Sequence, residues 1–346
     1  MARRPTIRDV AARAGVHPAT ASRALNPALP GRIAEATAAR VRAAARDLGY
    51  TPDPAARSLR TRRSGVVGVV VPDLTNPVLP PIVRGVEETL WPAGLACLVA
   101  DTDNDPEREA SAVAELAARR CDGLIVASAT RDSATVRALA TGDVATVLVT
   151  RDVPGAGLSF VGGDDAAGVR AAVRHVAELG HERIGYVAGP ADLSTTRTRL
   201  DALHAAVAAA PACARPVVRH ARAYTVAAGR AAARRLLAAD GAVSAILAGN
   251  DMLALGVYEA LADAGLRCPA EISVVGHNDM PMVDKLEPPL TTVAIPQYEI
   301  GIAAARLLMD RLGRDRPAER RLLPTRLVVR RSTAPPPVTA RAGLSR

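Results

Sequence analysis

The sequence predicts a small all-α helix-turn-helix module at the N-terminus, followed by a larger α/β region built on parallel sheets. Three observations carry that prediction. Residues 6–26 spell a short helix, a glycine turn and a second short helix. The net positive charge is confined to one end: residues 1–63 hold thirteen arginines against Asp9, Glu35, Asp47 and Asp53, a balance of +9 that equals the formal net charge of the whole 346-residue chain. From Gly65 onward, short apolar runs alternate with stretches of helical length, the pattern of parallel strands covered on both faces.

The N-terminal elements follow in order. Thr6 with Asp9 three residues later is a capping-box start, Gly15 supplies a left-handed turn, and Pro18 suits the first turn of a second helix. Val10, Ala11, Ala14, Val16, Ala21 and Leu25 fall where two helices and a third would touch. Ala19, Thr20, Ser22 and Arg23 then face outward, the face that such a motif lays in the DNA major groove. The local excess of arginine is the footprint of a module that displaces counterions from phosphates. Residues 26–32 read as a loop, and Ile33, Thr37, Val41, Ala44, Ala45 and Leu48 mark a third helix ended by Gly49. Asp53 then caps, and Pro54 opens, one more short helix.

In the α/β region, strands are expected at 66–71, 95–100, 123–127, 146–150, 184–188, 245–248 and 272–276. Helices are expected at 78–90, 106–119, 165–179, 199–210, 226–238, 251–264 and 300–312. Ligands of such sheets bind beyond the carboxyl ends of the strands. Asp73, Asn76 and Val78 follow the first strand, Thr150 and Arg151 the fourth, and Asp164 the stretch around Phe160. Further along stand Arg199, Tyr224, Asn250, Asp251, Asn278 and Gln297.

Several classes are excluded. With 49% hydrophobic residues the chain supports buried cores, no apolar run approaches the ~18 residues of a membrane span, and the start lacks a signal-peptide apolar region, so a cytoplasmic location is expected. Cys97, Cys121, Cys213 and Cys268 are far apart and form no CxxC; they read as reduced, small hydrophobes. There is no GxGxxG behind the first strand, no P-loop, no HExxH and no GxSxG, and His175, His181 and His204 lack metal spacing. No enzyme activity, metal or cofactor is expected.

Four segments, TIRDVAARAGVHPATASRALN, LGYTPDPAARSLRTRRS, GVVGVVVPDLTNP and ILAGNDMLALGVYEAL, resemble the LacI/GalR family of transcriptional regulators, over residues 6 to about 333. The resemblance implies a helix-turn-helix domain at 1–49, a hinge helix and linker at 50–63, an effector-binding and dimerisation domain of two periplasmic-binding-protein-like lobes at 64–333, and a disordered tail at 334–346. It places Ala56 and Leu59 on the hinge, Leu59 as the apolar wedge that enters the minor groove and bends the duplex. Pro18 and Ala19 occupy the base-choosing positions, where only apolar contact is available. Base-edge hydrogen bonding then falls to Thr20 and Arg23, with Thr6, Ser22, Asn26 and Arg32 on phosphates. His17 stands where the family has a serine cap, a poorer cap whose ring can reach a phosphate. Ala34 replaces the serine that caps the third helix.

In the family, the positions matching Arg199, Asn250 and Asn278 contact a small effector, and that of Tyr224 carries an aromatic that stacks on a sugar. This chain departs from the family in having Thr150 and Asn278 in place of aspartates and Val78 in place of an aromatic. Those losses, with Arg151 and Arg199 retained, point to an anionic or less hydroxyl-rich effector. The alternative is a neutral-sugar site using Asp73, Asp164, Asn250 and Asn278. The expected protein is a repressor, homodimeric without heptad leucines, bound to a roughly palindromic operator. Two rivals are a solute-binding protein, which has no use for residues 1–63, and an enzyme on the same fold.

Overall fold

The computed structural model describes residues 5–25, 33–51, 63–239, 243–314 and 316–337. The chain divides into two compact units, Met1–Ser64 and Gly65–Arg346.

The first unit holds α1 (Ile7–Ala14), α2 (Pro18–Ala24) and α3 (Glu35–Asp47). The capping box forms as expected: Thr6 Oγ1 accepts the Asp9 N–H, and the Asp9 carboxylate accepts the Thr6 N–H at 2.8 Å. Gly15 ends α1 at φ +62°. Val10, Ala11, Ala14 and Ala21 close a small core with Val41, Ala44 and Ala45 of α3, while Val16 and Leu25 are only partly buried. Such a core is short of apolar area, so helix ends weigh heavily in its stability. Ala34 heads α3 without a side-chain cap. Ala34→Ser is expected to stabilise the unit by about 1 kcal/mol, read as slower amide exchange across the first turn of α3; unchanged exchange would contradict it.

The second unit contains two six-stranded sheets. In chain order its elements are β1 (Val66–Val71), α4 (Leu79–Leu90), β2 (Ala96–Asp101), α5 (Pro106–Ala118), β3 (Gly123–Val126), α6 (Ala134–Leu139), β4 (Ala145–Val149), β5 (Ser159–Gly163) and α7 (Asp165–Glu178). There follow β6 (Ile184–Ala188), α8 (Ser194–Ala208), β7 (Val217–His220), α9 (Val226–Ala239), β8 (Ala245–Ala248), α10 (Asp251–Asp263), β9 (Ser273–Asn278), β10 (Thr291–Ala294), α11 (Gln297–Arg311), β11 (Arg320–Leu323) and β12 (Arg326–Val328). The first lobe has strand order β11-β5-β4-β3-β1-β2, the second β12-β10-β9-β8-β6-β7. Every pairing is parallel except β10 with β12.

Alternation along each strand feeds two helical layers. In β6, Tyr186 and Ala188 pack with Val169, Val173 and Leu203 of α7 and α8, whereas Val187 joins Leu236 and Leu253 of α9 and α10. In the first lobe α4 and α11 approach at backbone contact: a Cβ on Gly301 would lie 2.0 Å from the Ile82 carbonyl oxygen, and one on Gly85 2.2 Å from that of Tyr298. Only glycine permits this spacing.

The chain passes between lobes three times, after β5, after β10 and after β11. These crossings touch: Thr325 Oγ1 donates to the Asp164 carbonyl at 2.9 Å, and the Asp164 N–H donates to the Leu323 carbonyl at 2.8 Å.

All seven expected strands are present within a residue or two. Two short strands near the end of the chain, β11 and β12, join different sheets. Ala334, expected to open a disordered tail, is held in place: its carbonyl accepts from Ser273 Oγ, its N–H donates to that hydroxyl, and His181 Nε2 lies 2.9 Å from the same carbonyl. His181 is thereby a buried structural residue, as expected of its loop.

Candidate functional site

On the first unit the candidate surface is the outward face of α2. Ala19 and Arg23 are exposed, Pro18, Thr20 and Ser22 partly so, and Ala21 points into the core. His17 is a working cap: its Nδ1 accepts the Ala19 N–H at 3.2 Å. That bond requires the proton on Nε2, so the ring keeps a donor for a phosphate. The Thr6 hydroxyl, expected on a phosphate, gives its hydrogen to Asp9 at 2.7 Å. Asn26, Arg32, Ala56 and Leu59 lie outside the described residues.

On the second unit a cavity of about 60 Å³ lies between the lobes. Pro72, Asn76, Val78, Leu79, Thr150 and Arg151 line it from the first lobe; Thr195, Arg199, Tyr224, Asn250, Asn278 and Ile295 line it from the second. Eight of the twelve strand-end candidates, Arg151 included, are therefore together; Asp164 and Asp251 lie outside. Asp73 and Gln297 are not in the lining. Asp73 is used in a local turn, accepting from the Thr75 N–H and hydroxyl at 2.8 and 2.6 Å. Gln297 stands behind the wall, its Nε2 donating to the Asn278 carbonyl at 2.8 Å.

Several lining groups are already fixed by the protein. Asn250 Oδ1 caps α10 through the Leu253 N–H at 2.9 Å, and Asn76 Oδ1 accepts the Val78 N–H at 3.3 Å. The Tyr224 hydroxyl meets Thr196 Oγ1 at 3.0 Å, which fixes the ring against the start of α8. Thr150 is at φ +60° and Asn278 at φ +113°. For a β-branched residue a positive φ is strained; it lets the Arg151 N–H reach back to the Val149 carbonyl at 2.6 Å and turns Arg151 into the cleft.

Behind the lining is a buried charge cluster. Arg199 Nη2 donates to Asp165 Oδ1 at 3.1 Å and to Asn278 Oδ1 at 3.4 Å, and Nη1 to the Gly249 carbonyl. His277 Nε2 lies 3.0 Å from the same Asp165 oxygen. Burial alone would raise the Asp165 pKa, but Arg199 and His277 hold it below the usual carboxylate range. Burial, assisted by Arg199, holds His277 down to about 4, so at neutral pH the imidazole donates uncharged. Arg199 Nε is buried without a partner among the described residues. Asp165, His277 and Thr195 escaped the sequence reading; the rule that ligand residues follow strand ends, applied after the expected strands at 184–188 and 272–276, reaches Thr195 and His277.

A helix-turn-helix unit joined to a two-lobed α/β domain that closes on a cavity lined by arginine, amide and apolar side chains defines the class of ligand-responsive DNA-binding proteins. The description "Bacterial regulatory proteins, lacI family" matches residues 6–53, and "Periplasmic binding protein-like domain" matches residues 173–333. The chain is 30% identical over 329 residues to the HTH-type transcriptional repressor CytR of Escherichia coli (strain K12), which spans 95% of this chain and 96% of that protein. Its fold is similar to that of the lac repressor dimer bound to operator and the anti-inducer ONPF, with a TM-score of 0.85 and 28% identity over 96% of this chain and 100% of that one. It is also similar to the transcriptional regulator CelR in complex with cellobiose, with a TM-score of 0.71 and 32% identity over 95% and 100% of the two chains. The chain belongs to the lacI family of bacterial regulatory proteins.

Proposed function

We propose that this protein is a repressor of transcription whose hold on a palindromic operator is set by a small molecule in the interlobe cavity. The observation that carries the reading is the segregation of charge: the entire net +9 resides on residues 1–63, whose described part is a three-helix unit with an exposed second helix. Relatives point the same way, the lac repressor as a dimer on operator and CelR with a sugar. The protein acts as a homodimer, so each operator half-site receives one α2. Arg23 and Thr20 read base edges, Ala19 contributes apolar contact, and Ser22 and the His17 ring position the phosphates. Residues 1–49 form the DNA-binding domain, 50–63 with Leu59 the hinge, and 64–333 the effector domain.

Effector binding acts through the three crossings. It shifts operator affinity to the extent that it binds one lobe arrangement more tightly than the other. The protein has no enzymatic role and works in the cytoplasm beside its DNA; no described helix is long and apolar enough to cross a membrane. Selection of bound duplexes from a random pool is the test. A palindromic consensus is expected, with affinity falling steeply with salt and Arg23→Ala costing about 1–3 kcal/mol at that site. Enrichment of no palindrome would overturn the reading.

A further inference from the structure

The lining of the interlobe cavity holds two guanidinium groups, Arg151 and Arg199, and no carboxylate. Arg199 is balanced by Asp165 immediately behind it. Arg151 has no such partner: it is 7% exposed, and no carboxylate oxygen lies within 4.0 Å among the described residues. Two of its donors go to neutral oxygens, the Ser128 carbonyl at 3.0 Å and Asn104 Oδ1 at 2.9 Å. The carboxylates whose charge reaches it, Asp192, Glu109 and Asp73, stand farther off. Of these, Glu109 is committed to the Ser128 and Ser133 hydroxyls, and Asp73 to Thr75.

A guanidinium taken out of water without a counter-charge is costly, and its planar fork fits a carboxylate or a phosphate. A second feature converges on the same cavity. Thr195 lies in the first turn of α8, a 15-residue helix whose start has no side-chain cap. Amides at such a start favour an anion.

We propose, building on the regulator reading above, that the effector is an anion whose carboxylate or phosphate group is bound by Arg151 together with the first turn of α8. Thr150 sets this up by turning the backbone so that Arg151 enters the cleft, and the neutral lining supplied by Asn76, Asn250 and Asn278 serves the remainder of the molecule.

The test is titration calorimetry on the full chain with sodium phosphate and sodium acetate at fixed ionic strength, comparing the wild type with Arg151→Met and Arg151→Lys. Saturable binding of at least one anion is expected, weakened at least tenfold by Arg151→Met, with Arg151→Lys, which keeps charge but loses the fork, in between. Phosphate bound over acetate identifies a phosphorylated effector, and the reverse a carboxylate. The difference between wild type and Arg151→Met removes any contribution of the basic N-terminal unit. No saturable binding, or equal binding by Arg151→Met, overturns the proposal. A wild-type arm titrates glucose, gluconate and glucose 6-phosphate; tighter binding of the neutral sugar than of either anion also overturns it, whether or not the variants fold. Duplex selection is run separately. Anion binding without a selected palindrome defeats the regulator reading and leaves this assignment, whereas a palindrome with Arg151-independent anion binding defeats this assignment alone.

Discussion

Arg199→Met is expected to destabilise the effector domain by about 3–5 kcal/mol, the cost of removing one partner from a buried ion pair. Asp165 would keep only the neutral His277 beside it, and the Gly249 carbonyl would lose its donor. Urea unfolding of the full chain, followed on the second unit, reads the loss. Adding Asp165→Asn to Arg199→Met should recover much of it, because the stranded carboxylate is then gone. One further consequence is specific to this cluster. The guanidinium helps hold His277 near pH 4 while Asp165 pulls the other way, so in Arg199→Met the imidazole should titrate closer to neutrality. A cost below about 1 kcal/mol would mean that the pair is not coupled to folding as its burial implies.

The second large effect is a pH dependence hidden by two opposed groups. His277 falls from an ordinary value of about 6.5 to about 4 in the folded protein. Between those values the unfolded chain binds the extra proton, so this group's contribution to stability is full above about pH 6.5 and is lost as pH falls toward 4, by about 3 kcal/mol in all. Asp251 does the reverse. Burial pushes it up to about 7, against hydrogen bonds from Thr292 and the Met280 amide. The folded protein then binds the extra proton between about pH 4 and 7, and stability falls as pH rises through that window. In the wild type the two slopes offset. Asp251→Asn should expose a steep loss of stability on acidification from pH 6.5 to 4, and His277→Gln a loss on going from pH 4 to 7. Below pH 4 all three proteins should weaken as Asp165, held low in the native state, becomes protonated. Parallel stability curves for the three would contradict this account.

The legible part of the molecule was the part with strong local signals. Thr6, Asp9, Gly15, Pro18 and Gly49 punctuate the first unit, and each has a single physical role that the structure repeats. Long apolar strands such as β1 were equally clear. Strands β7, β10 and β11 were not, since Val217–His220, Thr291–Ala294 and Arg320–Leu323 are short and mixed, and become strands because a neighbour in the sheet offers them hydrogen bonds. Helix α8 starts at Ser194 and not at the expected Arg199: Ser194, Thr195 and Thr196 favour turns by themselves, but the fold holds them at the helix start, where Ser194 Oγ accepts the Asp152 N–H at 2.7 Å. Asp73 and Gln297 show the complementary limit. Position after a strand suggested ligand contact, but whether a polar group faces a cavity or a neighbouring backbone is decided by tertiary contacts that spacing does not encode.

The three crossings also dictate an order of events at the ribosome. Residues 66–163 supply five strands of the first sheet and α4, whose Ile82, Val86 and Leu90 share a core with Val67, Val69, Ile125 and Val149, yet α11 brings Ile300, Ala304 and Leu308 to that same core from beyond the entire run of β6 to β10. At ordinary translation speeds that separation is on the order of ten seconds. Throughout this interval the nascent first lobe carries an apolar sheet face that α4 covers only in part, while most of the second lobe is synthesised and can close. The protein is therefore finished from its middle outward, and its period of greatest exposure to aggregation falls before α11 emerges.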